Sequence, residues 1–140
     1  PPRSTLFPYT TLFRSIGYCF GGTGVLELAR TGVDVRGVVS FHGGIDSPTP
    51  ADGAAIKAKV LMLHGASDPF VKPEDIAAVH KELTDHKVDW QMVYYGNQVH
   101  SFTDKETARY NMPDAVRYDA ATEARSWQAM RAFLEEVLAP

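Results

Sequence analysis

The sequence predicts an α/β protein in which a parallel sheet is flanked by helices. Short apolar runs bounded by turn residues alternate with segments of helical periodicity, which is typical of parallel strands joined through crossover helices. The composition agrees, because 44% of the 140 residues are hydrophobic and 22% are charged, close to ordinary globular proportions. A packed core in one domain is therefore expected.

Four runs have the length and composition of buried strands. They cover residues 16–20, 37–42, 60–64 and 90–95. Three further segments carry apolar residues at three- and four-residue intervals, the pattern of a helix with one buried face. They cover residues 22–31, 73–86 and 119–138.

The charge and cysteine content exclude several classes of protein. Lys and Arg total 14 against 17 Asp and Glu, so no basic surface for nucleic acid is predicted. No run reaches the ~18 apolar residues that a membrane helix needs, and a cytoplasmic protein without a membrane partner is expected. The single cysteine, Cys19, excludes an intrachain disulfide framework and a cysteine-rich zinc module.

Residues 1–15 differ from the rest of the chain. The tetrapeptide at residues 4–7 nearly recurs at residues 10–13, and Pro8 interrupts the apolar run that a signal peptide would need. We interpret residues 1–15 as a non-native segment that looks like translated sequencing adaptor; the alternative is a genuine β-hairpin. The functional prediction is built on residues 16–140.

The strongest local pattern is Gly-Tyr-Cys-Phe-Gly-Gly at residues 17–22, where a strand is predicted to end and a helix to begin. It matches the nucleophile elbow G-x-S-x-G with Cys19 in the serine position. The tight turn calls for small residues on both sides of the nucleophile, and Gly17 and Gly21 meet that need. A helix N-terminus favours thiolate, and the Phe20 N–H is the expected oxyanion-hole donor. The alternative is a buried structural cysteine in a glycine-rich turn.

Two further residues follow in the chain order nucleophile, acid, histidine. Asp68 comes just after the third predicted strand, where it could orient an imidazole; the alternative is a turn-forming or helix-capping aspartate. His100 lies in a polar loop after the fourth strand, a suitable place for a general base, although a solvated loop histidine would look the same. Phe102, close to His100, is the candidate for substrate contact.

No metal site or cofactor is predicted. The five histidines form no H-x-x-x-H or H-E-x-x-H pair, and they are His42, His64, His80, His86 and His100. The glycine-rich run at residues 21–24 lacks the pattern of a P-loop or a dinucleotide site. His42 and His64 each end a strand beside a glycine, and we interpret them as hydrogen-bonding residues that shape the loops.

Together these motifs resemble the dienelactone hydrolase family of α/β-hydrolases. The matching positions are residues 17–22, 41–44, 64–65, 68–69 and 99–102, with Ser126-Trp127 in the closing helix. The resemblance covers residues 16–140 and implies a hydrolase that cleaves carbon-ester or lactone bonds of a small molecule. It further implies a triad of Cys19, His100 and Asp68 acting through an acyl-enzyme.

A complete α/β-hydrolase domain has several strands ahead of the elbow, whereas here the elbow begins at residue 17. We therefore expect a partial α/β-hydrolase fold that lacks the N-terminal strands. Activity is expected to be impaired, because a loop ahead of the elbow supplies the second oxyanion N–H in this fold. Two alternatives remain open: a half-domain without catalytic function, and a thioesterase or peptidase on the same fold.

Overall fold

A computed structural model of the chain describes residues 13–139. Within that range the strands are β1 (Arg14–Tyr18), β2 (Gly37–Phe41), β3 (Lys59–Gly65) and β4 (Trp90–Tyr95). The helices are α1 (Phe20–Arg30), α2 (Pro73–Asp85) and α3 (Ala120–Leu138), with short 3-10 turns at Pro50–Ala55 and Thr107–Tyr110.

The sheet is parallel throughout and runs in the order β1-β2-β3-β4, so the predicted α/β class is confirmed. The first strand differs from its expected bounds of 16–20. Arg14 and Ser15 pair with Gly37 and Val38, whereas Cys19 and Phe20 already form the turn and the start of α1. The strand thus begins inside the segment interpreted as non-native, and residues 1–12 of that segment lie outside the described residues.

The two faces of the sheet carry separate cores, because side chains alternate between faces along each strand. One core places α1 and α2 against Val38, Val60 and Met62. The other places α3 against the alternate residues, including Val39 and Leu61. The result is a three-layer arrangement with helices on both faces, in which the central strands β2 and β3 are the most deeply buried.

The parallel order brings the carboxyl ends of all four strands to one edge of the sheet. Cys19 follows β1, His42 follows β2, Asp68 follows β3 and His100 follows β4. Four residues from distant parts of the chain are therefore brought to the same edge by topology alone.

None of the helices within residues 13–139 is both long enough and apolar enough to cross a membrane.

Candidate active site

Cys19 occupies the turn between β1 and α1 in a strained backbone conformation, with φ 51° and ψ −121°. Such strain in a non-glycine residue is characteristic of functional turns. A Cβ on Gly17 would lie 1.9 Å from the Gly21 carbonyl oxygen, so this position must be glycine. The expectation that Gly21 must also be small was wrong: a Cβ there meets nothing within 4 Å, because it points away from the turn.

The Cys19 side chain is half-buried and has two polar neighbours. Its Sγ lies 3.1 Å from Ser101 Oγ and 3.4 Å from His42 Nδ1. The Cys19 amide donates to the Phe41 carbonyl at 3.0 Å and to His42 Nδ1 at 3.3 Å. These contacts fix both the backbone and the sulfur of the residue predicted to be the nucleophile.

The N-terminus of α1 is open next to Cys19. No side chain caps it, and the carbonyl of Cys19 accepts from the amides of Gly22 and Thr23. Among residues 13–139 no backbone carbonyl accepts the Phe20 N–H, the group expected to serve as the oxyanion donor. The Phe20 ring itself is 89% exposed.

Asp68 and His100 form a hydrogen-bonded pair. His100 Nδ1 lies 2.9 Å from Asp68 Oδ2, and the other carboxylate oxygen accepts the Phe70 amide at 2.9 Å. The Asp68 side chain is fully buried, so neither oxygen is shared with bulk solvent. His100 is fixed through its backbone as well, donating to the Ala115 carbonyl at 3.0 Å. Its Nε2 is thereby left to face Cys19.

The charges of this site are coupled. Burial would raise the pKa of the Cys19 thiol, but the nearby His100 together with His42 and Ser101 brings that pKa down to about 6. Burial also disfavours a charged His100, yet the hydrogen bond with Asp68 and the nearby Cys19 raise the pKa of His100 to about 9. Between these values the thiolate and the imidazolium are the stable forms of the pair. Burial lowers the pKa of the neighbouring His64, which favours its neutral form.

His42, like Ser101, contacts the predicted nucleophile although the sequence did not indicate that contact. It is 1% exposed and has a left-handed backbone, with φ 38°. Its Nε2 lies 2.8 Å from Thr103 Oγ1, and its ring meets Phe102 edge-on at 4.9 Å. The available signal was its position at a strand end next to Gly43, which suggested loop shaping but no contact with Cys19.

Phe102, predicted to contact substrate, is fully buried, and its ring packs between His42 and Tyr95. This placement does not favour substrate contact, because the ring has no exposed surface. A different aromatic residue lies exposed beside His100. Phe70 is 55% exposed and meets the His100 ring edge-on at 5.3 Å.

The ligand atoms of Cys19, His42 and His100 lie within 4.8 Å of one another. The sequence showed no metal motif, because these residues come from three separate strand ends rather than one helix. Three cavities of about 360, 430 and 250 Å³ lie elsewhere and are not lined by Cys19, Asp68 or His100. The Cys19 thiol and the His100 imidazole therefore lie outside these three cavities.

A cysteine in a strand-to-helix elbow with an Asp–His pair at the same edge of a parallel sheet defines an α/β-hydrolase. The model of the dienelactone hydrolase family matches residues 7–138, and the chain belongs to that family. The match begins inside residues 1–15, the segment interpreted from its sequence as non-native.

Several known proteins are similar to this chain over most of its length. The Caenorhabditis elegans protein K02A2.1 is 36% identical over 130 residues, covering 89% of this chain and 80% of that protein. The human carboxymethylenebutenolidase homolog is 25% identical over 107 residues, covering 76% and 43%. The crystal structure of the dienelactone hydrolase-like promiscuous phosphotriesterase P91, from metagenomic libraries, is 47% identical with a TM-score of 0.84. The chain matches 52% of that structure, about half its length.

Proposed function

We propose that this site hydrolyses carbon-ester or lactone bonds of small molecules, with Cys19 as nucleophile. The observation that carries the proposal is the buried Asp68 carboxylate, 2.9 Å from His100 Nδ1. The other nitrogen of that imidazole is left for the half-buried thiol of Cys19. This arrangement supports acyl transfer, with a nucleophile, a base beside it and an acid that orients the base. Membership of the dienelactone hydrolase family supports the same reaction class.

Acylation begins from the thiolate and the imidazolium, the forms that the two pKa values favour. The Cys19 sulfur attacks the carbonyl carbon, and the electron pair of the carbonyl bond moves to oxygen. The Phe20 N–H stabilises this oxyanion at the end of α1. Collapse breaks the bond to the alkoxide, which takes the proton of His100 and leaves as an alcohol, or as a free hydroxyl end of an opened lactone.

Deacylation uses the same residues in reverse. Neutral His100 takes a proton from water, and the hydroxide attacks the thioester carbonyl. The sulfur of Cys19 leaves as thiolate, restoring the ion pair, and the product is a carboxylic acid. Asp68 keeps its charge throughout and stabilises the imidazolium each time it forms.

The substrate is proposed to be small and partly apolar. Phe70 is exposed against the His100 ring, and Phe20 is exposed next to the nucleophile. These rings offer apolar surface for an acyl or lactone group on either side of the reacting atoms.

The test is acylation of the 140-residue chain by p-nitrophenyl acetate. We expect release of p-nitrophenol together with one acetyl group on Cys19, found by intact-protein and peptide mass spectrometry. Acetylation survives even where turnover is slow, so it reports the first step by itself. Cys19→Ala should abolish both signals.

Two histidine variants give a matched comparison. His100→Gln should lower the acylation rate by about 100-fold or more, since it removes the imidazolium that stabilises the Cys19 thiolate and protonates the leaving group. His80→Gln removes a histidine from α2, where it bonds Tyr94, and should leave the rate unchanged. Equal rates for the two variants, or acetylation at residues other than Cys19, would contradict the proposal.

A further inference from the structure

The hydrolysis proposed above needs one histidine, yet two imidazoles reach Cys19. His42 Nδ1 lies 3.4 Å from Cys19 Sγ, and the ligand atoms of Cys19, His42 and His100 all fall within 4.8 Å of one another. Each residue is held by a different strand end. A thiol with two imidazole nitrogens is a ligand set that borderline-soft metal ions prefer.

The spacing suits a tetrahedral ion. With Zn–S near ~2.3 Å and Zn–N near ~2.1 Å, tetrahedral angles separate the sulfur and nitrogen by about 3.6 Å. The Cys19–His42 distance of 3.4 Å matches this without movement. His100, whose ligand atom lies within 4.8 Å of the other two, would need to approach by no more than about 1.2 Å to reach the same separation. Its ring is only partly buried, with 20% of the side chain exposed.

Both histidines already have the outer hydrogen bond that metal-binding imidazoles nearly always make. His100 Nδ1 is bonded to Asp68 at 2.9 Å, and His42 Nε2 is bonded to Thr103 Oγ1 at 2.8 Å. Those contacts occupy the outer nitrogens and leave His100 Nε2 and His42 Nδ1 toward the sulfur. The Cys19 amide would give up only its longer contact to Nδ1 and keep the 3.0 Å bond to Phe41.

We propose that Cys19, His42 and His100 bind a divalent zinc-class ion, and that this reversibly blocks the nucleophile. The ion bonds to the thiolate sulfur and to two neutral imidazole nitrogens, with water at the fourth position. The one proton of the Cys19–His100 pair, which His100 carries in the thiolate–imidazolium form, is released to solvent, and no oxidation or reduction occurs. Inhibition by the metal ion rests on the proposed function of Cys19, whereas binding of the ion does not depend on that function.

The first experiment titrates the metal-free 140-residue chain with Co²⁺ and then Zn²⁺. Cobalt should bind at one equivalent and give a near-ultraviolet thiolate charge-transfer band, which Zn²⁺ displaces. Zinc should also protect Cys19, the single cysteine of the chain, from alkylation by iodoacetamide, and a chelator should restore the reaction. A cobalt complex without the thiolate band, or alkylation unaffected by zinc, would overturn the proposal.

Variants then separate this site from generic zinc binding by a thiol. His42→Gln should weaken zinc binding by about 10-fold or more, measured by competition with a chromophoric chelator. Thr103→Val, which removes only the outer hydrogen bond of His42, should weaken it by about 10-fold. His86→Gln lies outside the cluster, at the end of α2, and should bind zinc like the unmodified chain. Unchanged affinity in a folded His42→Gln chain would overturn the assignment of His42.

The two proposals fail in different ways. Zinc binding with a thiolate band, but no acetylation of Cys19 by the ester, leaves the metal site standing and removes the hydrolase. Acetylation that zinc does not slow, with no thiolate band for cobalt, leaves the hydrolase standing and removes the metal site.

Discussion

Asp68 is a buried carboxylate with both oxygens engaged, one by His100 and the other by the Phe70 amide. We predict that Asp68→Asn, which keeps the shape and removes the charge, lowers acylation of Cys19 by about 10²- to 10⁴-fold. The reason is that the Asp68 charge helps raise the pKa of His100 to about 9, so its loss lowers that pKa. The measurement is the acylation rate at pH 7 alongside the NMR titration of His100.

Asp104→Asn is the matched control, because Asp104 is also an aspartate in a hydrogen-bonded pair. Its partner is the exposed guanidinium of Arg109 at 3.2 Å. This change should leave both the acylation rate and the titration of His100 unaltered. A His100 pKa that does not move in Asp68→Asn would show that the carboxylate orients the ring without stabilising its charge.

The two titrations of the Cys19–His100 pair predict a bell-shaped pH profile. The thiolate forms as the pH rises through about 6, and the imidazolium is lost as it rises through about 9. Acylation, which needs both forms, should therefore rise near pH 6 and fall near pH 9. Alkylation of Cys19 by iodoacetamide needs only the thiolate, so its rate should show the rise near pH 6 without the fall near pH 9. A single midpoint near that of a free cysteine would contradict the coupled pair.

At the level of secondary structure elements, the elbow depends on the close approach of the end of β1 to the first turn of α1. We predict that Gly17→Ala destabilises the chain by about 1–3 kcal/mol, because its Cβ would overlap the Gly21 carbonyl. Gly21→Ala is the control, with free space around the new Cβ inside a helix. It should be neutral or stabilise by about 0.5–1 kcal/mol. Urea unfolding followed by circular dichroism measures both.

The helices were predictable from apolar periodicity, but the contacts between them were not. Arg30 of α1 and Glu82 of α2 form a buried, two-pronged ion pair with distances of 2.9 and 2.7 Å. In the sequence each is one charged residue among others on a helix, and nothing marks them as buried. Their pairing depends on how α1 and α2 lie on the same sheet face, which is a tertiary property.

At the scale of the whole molecule, the parallel direction of the strands made most of the site predictable. Parallel pairing places every strand's carboxyl end on one edge, so the positions of Cys19, Asp68 and His100 after their strands were enough to predict that they meet. The contact of His42 with Cys19 was not predicted, because a histidine that follows a strand can have many roles. The burial of Phe102 could not be predicted, because burial within an irregular loop has no periodicity to indicate it.

The outer edge of β1 leads to the last prediction, on self-association. Within residues 13–139 no strand pairs with that edge. The Phe13 carbonyl and the Cys19 amide bond toward β2, so by alternation the amides of Ile16 and Tyr18 point outward. These two residues are 40% and 43% exposed.

An apolar edge with outward amides is a template for another strand, so the chain should self-associate with rising concentration in sedimentation velocity. Ile16→Lys should suppress this, because a charge on an edge strand disfavours pairing with a second chain. Val33→Lys adds the same charge at a residue of similar exposure, 39%, outside the sheet, and should leave association unchanged. Equal suppression by both variants would assign the effect to net charge instead of the β1 edge.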